Sequence, residues 1–183
     1  VEAVHSSPTM AVVMVSGGGA RSLTWLLAVP GASRTVIEAR VPYSARAMHD
    51  VIGHELDTAV AAGTSAEMAR AAYGRAVRLR PAGAPVVGIG ATAAITTDRP
   101  KKGDHRCFVS VWDETEVITY GLTFTKGLRD RSGEDDIVSR LVVRALGEAC
   151  GIDADVTLEL DPAECLEVTR RPHGDPIDRL LSG

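Results

Sequence analysis

Ser16 is followed at once by Gly17, Gly18 and Gly19. Three glycines let a backbone approach a ligand closely, and the N–H groups that open a following helix favour an oxyanion or a phosphate in front of them. A serine hydroxyl beside such donors is placed as a nucleophile if some group takes its proton. A glycine-rich turn without chemistry would read the same way. The Gly-Lys-Ser/Thr ending of a nucleoside-triphosphate loop is missing, and Ser22 stands where the dinucleotide fingerprint needs its third glycine. Ser16 is therefore the candidate nucleophile, with Gly17, Gly18, Gly19 and Arg21 as candidate ligand-binding residues.

A second cluster lies in "TTDRPKKGDHRCF", where Arg99, Lys101, Lys102, His105 and Arg106 concentrate positive charge ahead of an apolar run. Lys101, Lys102 and Arg106 could hold an anion, and His105 could act as acid or base. A solvated basic loop is the competing account. The stretch "MHDVIGHELD" holds His49, Asp50, His54 and Glu55, but not at HExxH spacing, and Gly53 weakens any helix that would align them. Surface histidines explain this stretch better, and no metal site is expected. Trp25 and Trp112 read as packing residues.

These side chains need elements to carry them. "MAVVMV" (Met10 to Val15) has the continuous apolar character of a strand buried on both faces, and Leu23, Leu26 and Leu27 follow at helical spacing until "VPGAS" stops them. "TVIEARVPYS" alternates as a second strand, with a short helix expected after Ser44. Thr64 and Glu67 form a capping box that predicts a helix over about 65–79. "APVVGIGAT" predicts a third buried strand, and "RCFVSVWD" with "EVITYGLTFT" predicts an antiparallel hairpin turning at Asp113 and Glu114. "SGEDDIVSRLVVRALGEACG" predicts a long helix capped by Ser132, buried along Ile137, Leu141, Val142 and Ala145, and closed by Gly151.

The order implies a three-layer α/β/α sandwich with a mixed, largely parallel sheet and one antiparallel hairpin. Residues 1–152 read as one domain, and 153–183, acidic and then rich in proline and arginine, as a tail or linker. With 183 residues, 45% hydrophobic content and a net charge of −4, the chain has the composition of a globular protein without a basic footprint for nucleic acid. Cys107, Cys150 and Cys165 are odd in number and lack CxxC spacing, so reduced thiols are expected. No apolar run reaches the ~20 residues of a membrane span, nor does the start look like a signal peptide, so a cytoplasmic location is expected.

Taken in order, these pieces resemble the C-terminal domain of the competence/damage-inducible protein CinA, a family that includes nicotinamide mononucleotide deamidases of the PncC type. The resemblance runs from about Met10 to Ile152. Its carriers are Ser16 standing thirteen positions before Val29-Pro30-Gly31, the pair Tyr43-Ser44 after the second strand, the helix from Thr64 to Ala72, and the glycine-rich strand end from Ile89 to Ala93.

The resemblance implies hydrolysis of the nicotinamide mononucleotide carboxamide to the acid and ammonia, with the serine as nucleophile, a lysine as its base and no cofactor. It adds Tyr43 to the candidate ligand-binding residues, makes a nucleotide the expected small-molecule partner and a homo-oligomer the expected assembly, and allows fusion to a nucleotidyltransferase domain beyond the tail. The chain departs from the pattern at three places. The family lysine falls on Met48, a thioether that accepts no proton; the family threonine falls on Ile89; and Gly17-Gly18 replaces a Cys-Thr pair. Two expectations follow: an amidohydrolase in which His105 or Lys101 replaces the lysine, or a silent nucleotide-binding or assembly domain.

Overall fold

The computed structural model describes residues 1–99, 102–153 and 156–173, so Lys101 and the last part of the expected tail lie outside the described residues. A short helix α1 (Glu2–Ser6) precedes β1 (Met10–Ser16), α2 (Ala20–Ala28), β2 (Val36–Arg40), α3 (Ala45–Ile52) and α4 (Ala62–Leu79). The strands β3 (Val86–Ala94), β4 (His105–Trp112) and β5 (Glu116–Phe124) follow, then α5 (Arg131–Ala149) and β6 (Leu166–Pro172). The sheet has the strand order β2-β1-β3-β4-β5-β6. No helix among the described residues is long and apolar enough to cross a membrane.

The unbroken apolar run of β1 is explained by two separate cores. Ala11, Val13 and Val15 point into a cluster shared with Leu26 of α2 and with Ile137, Val138, Leu141 and Val142 of α5. Val12 and Met14 point the other way, into a cluster with Met48 and Ile52 of α3 and Met68, Ala72 and Ala76 of α4. A strand covered on both sides has no polar face, which is why periodicity alone shows no alternation here. The layers are thus α1, α2 and α5, then the sheet, then α3 and α4.

β1 runs parallel to both of its neighbours, β2 and β3. The chain leaves β1 through α2 on one face to reach β2, then returns through α3 and α4 on the other face to reach β3. The winding reverses at β1, and in such sheets the crevice beyond the carboxyl ends of the diverging strands is where ligands bind. Ser16 pairs in register with Thr92 at that end.

Close approach of α4 to the sheet needs glycine. A methyl at Gly90 would sit 2.3 Å from the Ser65 carbonyl oxygen and 2.4 Å from the Ala69 nitrogen, and Gly88 is equally crowded by Ala69 and Tyr73. The helix therefore rests its backbone directly on β3.

The remaining pairings, β3–β4, β4–β5 and β5–β6, are antiparallel. The expected hairpin is β4–β5. Antiparallel pairing extends further than that because residues 166–172, expected within a tail, pair with Glu116 to Leu122 as the sheet's edge strand. Leu158 and Leu160 pack against the core on the way. Gly151, at φ +70, turns the chain out of α5 as expected.

Two helix starts differ from the capping expectation. α4 begins at Ala62 with Ala61 as its N-cap and no side-chain cap, because the Thr64 hydroxyl donates instead to the Thr58 carbonyl at 2.6 Å. α5 begins at Arg131, with Asp130 rather than Ser132 accepting the Gly133 amide at 2.8 Å.

Candidate functional site

Beyond the carboxyl end of β1 lies a cavity of about 590 Å³ lined by Ser16, Tyr43, Ser44, Arg46, Met48, His49, Glu55, Leu56 and Ala59. It sits on the α3 side of the sheet at the switch point. β1 supplies Ser16, and the turn after β2 supplies Tyr43 and Ser44. α3 then supplies Arg46, Met48 and His49; Ser44 caps this helix by accepting the Ala47 amide at 3.1 Å. The loop 53–61 supplies Glu55, Leu56 and Ala59 as the far wall. It is held to β3 by Thr92, whose hydroxyl donates to the Ala59 carbonyl at 2.7 Å.

Ser16 is half-buried, and its hydroxyl donates to the Pro42 carbonyl at 3.0 Å. The proton that a general base would have to remove is thus engaged with the backbone. Met48, 6% exposed, fills the wall where the resemblance expects a lysine. Ile89 is fully buried in the α5-side core and faces away from the cavity. The threonine hydroxyl nearest Ser16 in the sheet is that of Thr92, three residues further along β3.

His105 does not serve Ser16 in this geometry. In β4, Cys107, Val109 and Val111 face α5, and His105 shares their side, whereas Ser16 faces α3 and α4. His105 Nδ1 lies 2.8 Å from Glu134 Oε1, while Glu134 Oε2 accepts the Thr96 amide at 2.7 Å. The Glu134 side chain has no exposure, so the histidine tethers the start of β4 to α5.

The described part of the basic loop is likewise not brought to the cavity. Neither Lys102 nor Arg106 lines it; Arg106 instead stands over the Phe108 ring at 5.9 Å.

The glycines act as the sequence suggests in shape but not in availability. Gly17, at φ +78, passes so close to β3 that an added methyl would lie 1.9 Å from the Ala93 oxygen. The Gly19 amide, at the start of α2, donates to Asp135 Oδ1 at 2.8 Å, so a carboxylate from α5 already occupies that donor. Arg21 flanks the same carboxylate at 3.5 Å and Asp136 at 3.7 Å. An incoming anion there would meet two carboxylates, which disfavours it.

Sequence reasoning missed three residues that the fold assembles. His49, read as a surface histidine, shares the cavity with Ser16; Arg46 and His49 are three apart on α3 and so lie on one face. Arg131, which no motif marks, donates to the Thr96 carbonyl at 2.8 Å and the Gly17 carbonyl at 3.3 Å, and its Nη2 reaches the Tyr43 hydroxyl at 3.4 Å. It ties together the loops after β1, β2 and β3. Among the described residues, no three of His, Cys, Asp and Glu come together to hold a metal ion.

A serine at the end of a central parallel strand, facing a cavity at the switch point of a mixed sheet, defines an α/β protein with a strand-end cavity. Solved structures that share this architecture include competence/damage-inducible (CinA) proteins. A competence or damage-inducible protein from Enterobacter asburiae aligns with a TM-score of 0.58 at 19% identity, over 78% of this chain and 86% of that one. A CinA superfamily protein from Enterobacter cloacae gives 0.59 at 17%, over 81% and 83%. The competence/damage inducible protein CihA from Agrobacterium tumefaciens gives 0.59 at 19%, over 79% and 86%. No protein-family model and no curated protein matches the chain. The chain therefore has a CinA-like fold carried by a strongly divergent sequence.

Proposed function

We propose that this domain binds a pyridine mononucleotide, or a nucleotide of similar shape and charge, in the Ser16 cavity and does not hydrolyse it by the serine–lysine route. The observation that carries this reading is the state of Ser16: its hydroxyl donates a hydrogen bond to the Pro42 carbonyl, and the lysine position beside it is Met48. The cavity keeps what binding needs. Arg46 supplies charge for a phosphate, Tyr43, 67% exposed, offers a ring face at the mouth, and Met48, Leu56 and Ala59 offer apolar wall.

A second reading is favoured by one observation, the presence of His49 in the same cavity as Ser16. An imidazole is a competent general base, and amide hydrolysis through Ser16 would then proceed with His49 taking its proton.

Calorimetry with nicotinamide mononucleotide, run beside an assay for ammonia, separates these readings. Binding that weakens at least tenfold in Arg46→Ala, with no ammonia released, supports the silent domain. Ammonia release lost in both Ser16→Ala and His49→Ala supports the second reading. Absence of binding in the wild-type protein rejects the nucleotide assignment.

A further inference from the structure

The far wall of the Ser16 cavity is a loop, residues 53–61, whose later part is held by Thr64 and Thr92 through the Thr58 and Ala59 carbonyls and whose start is held to α4 by one histidine. The loop leaves α3 at Gly53, φ +94, and contributes Glu55, Leu56 and Ala59 to the cavity. His54 Nδ1 lies 2.8 Å from the Glu55 carbonyl oxygen, and Nε2 lies 2.7 Å from Glu67 Oε2 on α4. Both neighbours are acceptors. A neutral imidazole has one N–H and must point a lone pair at one of them, whereas the imidazolium offers an N–H to each.

Glu67 adds weight to the charged form. Its Oε2 is shielded from solvent and is paired with the His54 ring 2.7 Å away. We propose that His54 is a proton-operated latch that fastens the 53–61 loop to α4 and thereby sets the affinity of the Ser16 cavity for its ligand. The affinity half of this statement rests on the nucleotide-binding reading above; the latch itself does not.

The charged surroundings act in both directions. The Glu55 carbonyl raises the His54 pKa from its ordinary 6.5, partial burial lowers it, Glu67 raises it, and Arg70, also on α4, lowers it; the balance is upward. A raised pKa means that the latch is closed below the titration and releases as pH rises through it. Both side chains are well exposed, 54% for His54 and 36% for Glu67, so the effect on loop opening is about two- to fivefold and no larger.

Hydrogen exchange across the full chain tests this between about pH 5.5 and 8.5, a window that brackets an ordinary histidine. Once rates are corrected for the chemical dependence of exchange on pH, protection of residues 54–61 in the wild-type protein falls about two- to fivefold with rising pH. In His54→Gln the loop is less protected at low pH and shows no such limb, and in Glu67→Gln the limb shrinks and moves to lower pH. A wild-type loop without a limb, or an equal limb in His54→Gln, overturns the latch.

Nicotinamide mononucleotide calorimetry on the same samples reads the coupling. The wild-type protein binds about two- to fivefold more tightly than His54→Gln at the low end, and the two converge at the high end. A ratio that stays at one while the exchange limb is present overturns the coupling to the cavity. If neither protein binds the nucleotide at any pH, the nucleotide reading falls and the affinity half with it, while exchange alone decides the latch.

Discussion

The Gly19 amide donates to Asp135 Oδ1 at 2.8 Å, so the N-terminus of α2 is closed by a carboxylate from α5. A side-chain acceptor at a helix start typically contributes about 0.5–2 kcal/mol, and a negative charge there adds a favourable interaction with the helix dipole. Asp135→Ala is expected to destabilise the domain by about 1–2 kcal/mol, and Asp135→Asn, which keeps the acceptor and loses the charge, by less than half of that. Denaturant midpoints measured at unchanged slope check the order.

Glu134 is the next test, because it separates structure from chemistry. Its buried carboxylate accepts from Thr96 and meets His105 at 2.8 Å. Removing one member of such a buried cluster costs about 3–5 kcal/mol, so Glu134→Ala is expected to be severely destabilised, with Glu134→Gln intermediate. His105→Asn should lower stability yet leave nucleotide affinity of the folded protein unchanged, since His105 lies across the sheet from the cavity. Calorimetry showing a large affinity loss in His105→Asn would contradict that placement.

How much of this was legible in the sequence depends on whether the signal was local. The strand, glycine turn and helix from Met10 to Ala28, the β4–β5 hairpin and the buried stripe of α5 all follow from neighbours in sequence. Ser16 and its place at a strand end were legible for the same reason. The partners of these elements were not. Asp135 lies 116 residues from Gly19 and Glu134 lies 29 from His105, and no periodicity couples them. β6 was read as tail because a strand with nearly every residue exposed alternates only at Leu166 and Val168 before two arginines and a proline end the pattern. His49 was passed over because, viewed along the chain, only the helix geometry of α3 after Ser44 brings it onto the face shared with Arg46.

Acid should loosen the C-terminal return to the sheet. The Glu164 side chain is fully buried against Arg129, with Nη1 2.6 Å from Oε1. Burial pushes its carboxyl up, but Arg129 and the amides of Thr125 and Asp161 outweigh burial and hold it below the ordinary 4.5. Because the folded value is depressed, the stabilisation is fully present above 4.5 and is lost as pH falls through the folded-state value beneath it. Glu164→Gln should cost about 1–3 kcal/mol at neutral pH, and the gap between wild-type and variant melting temperatures should close in acid. A gap that stays constant down the acid range would mean that the Arg129 contact carries no charge-dependent stability.

Met48→Lys asks whether the cavity lacks only a base. Met48 points into the wall beside Ser16 and is nearly buried, so a lysine there would be desolvated, its pKa would drop, and a neutral amine would be available near pH 7. The Ser16 hydroxyl would then have a competing acceptor to the Pro42 carbonyl it now uses. General-base assistance is typically worth about 10²–10⁴ in rate, so even its lower end would raise ammonia release from nicotinamide mononucleotide above the wild-type background. The expected outcome is release by Met48→Lys that disappears when Ser16→Ala is added. Should the single variant fold, bind the nucleotide and still release nothing, the cavity lacks more than a base, and the lost lysine alone would not account for its silence.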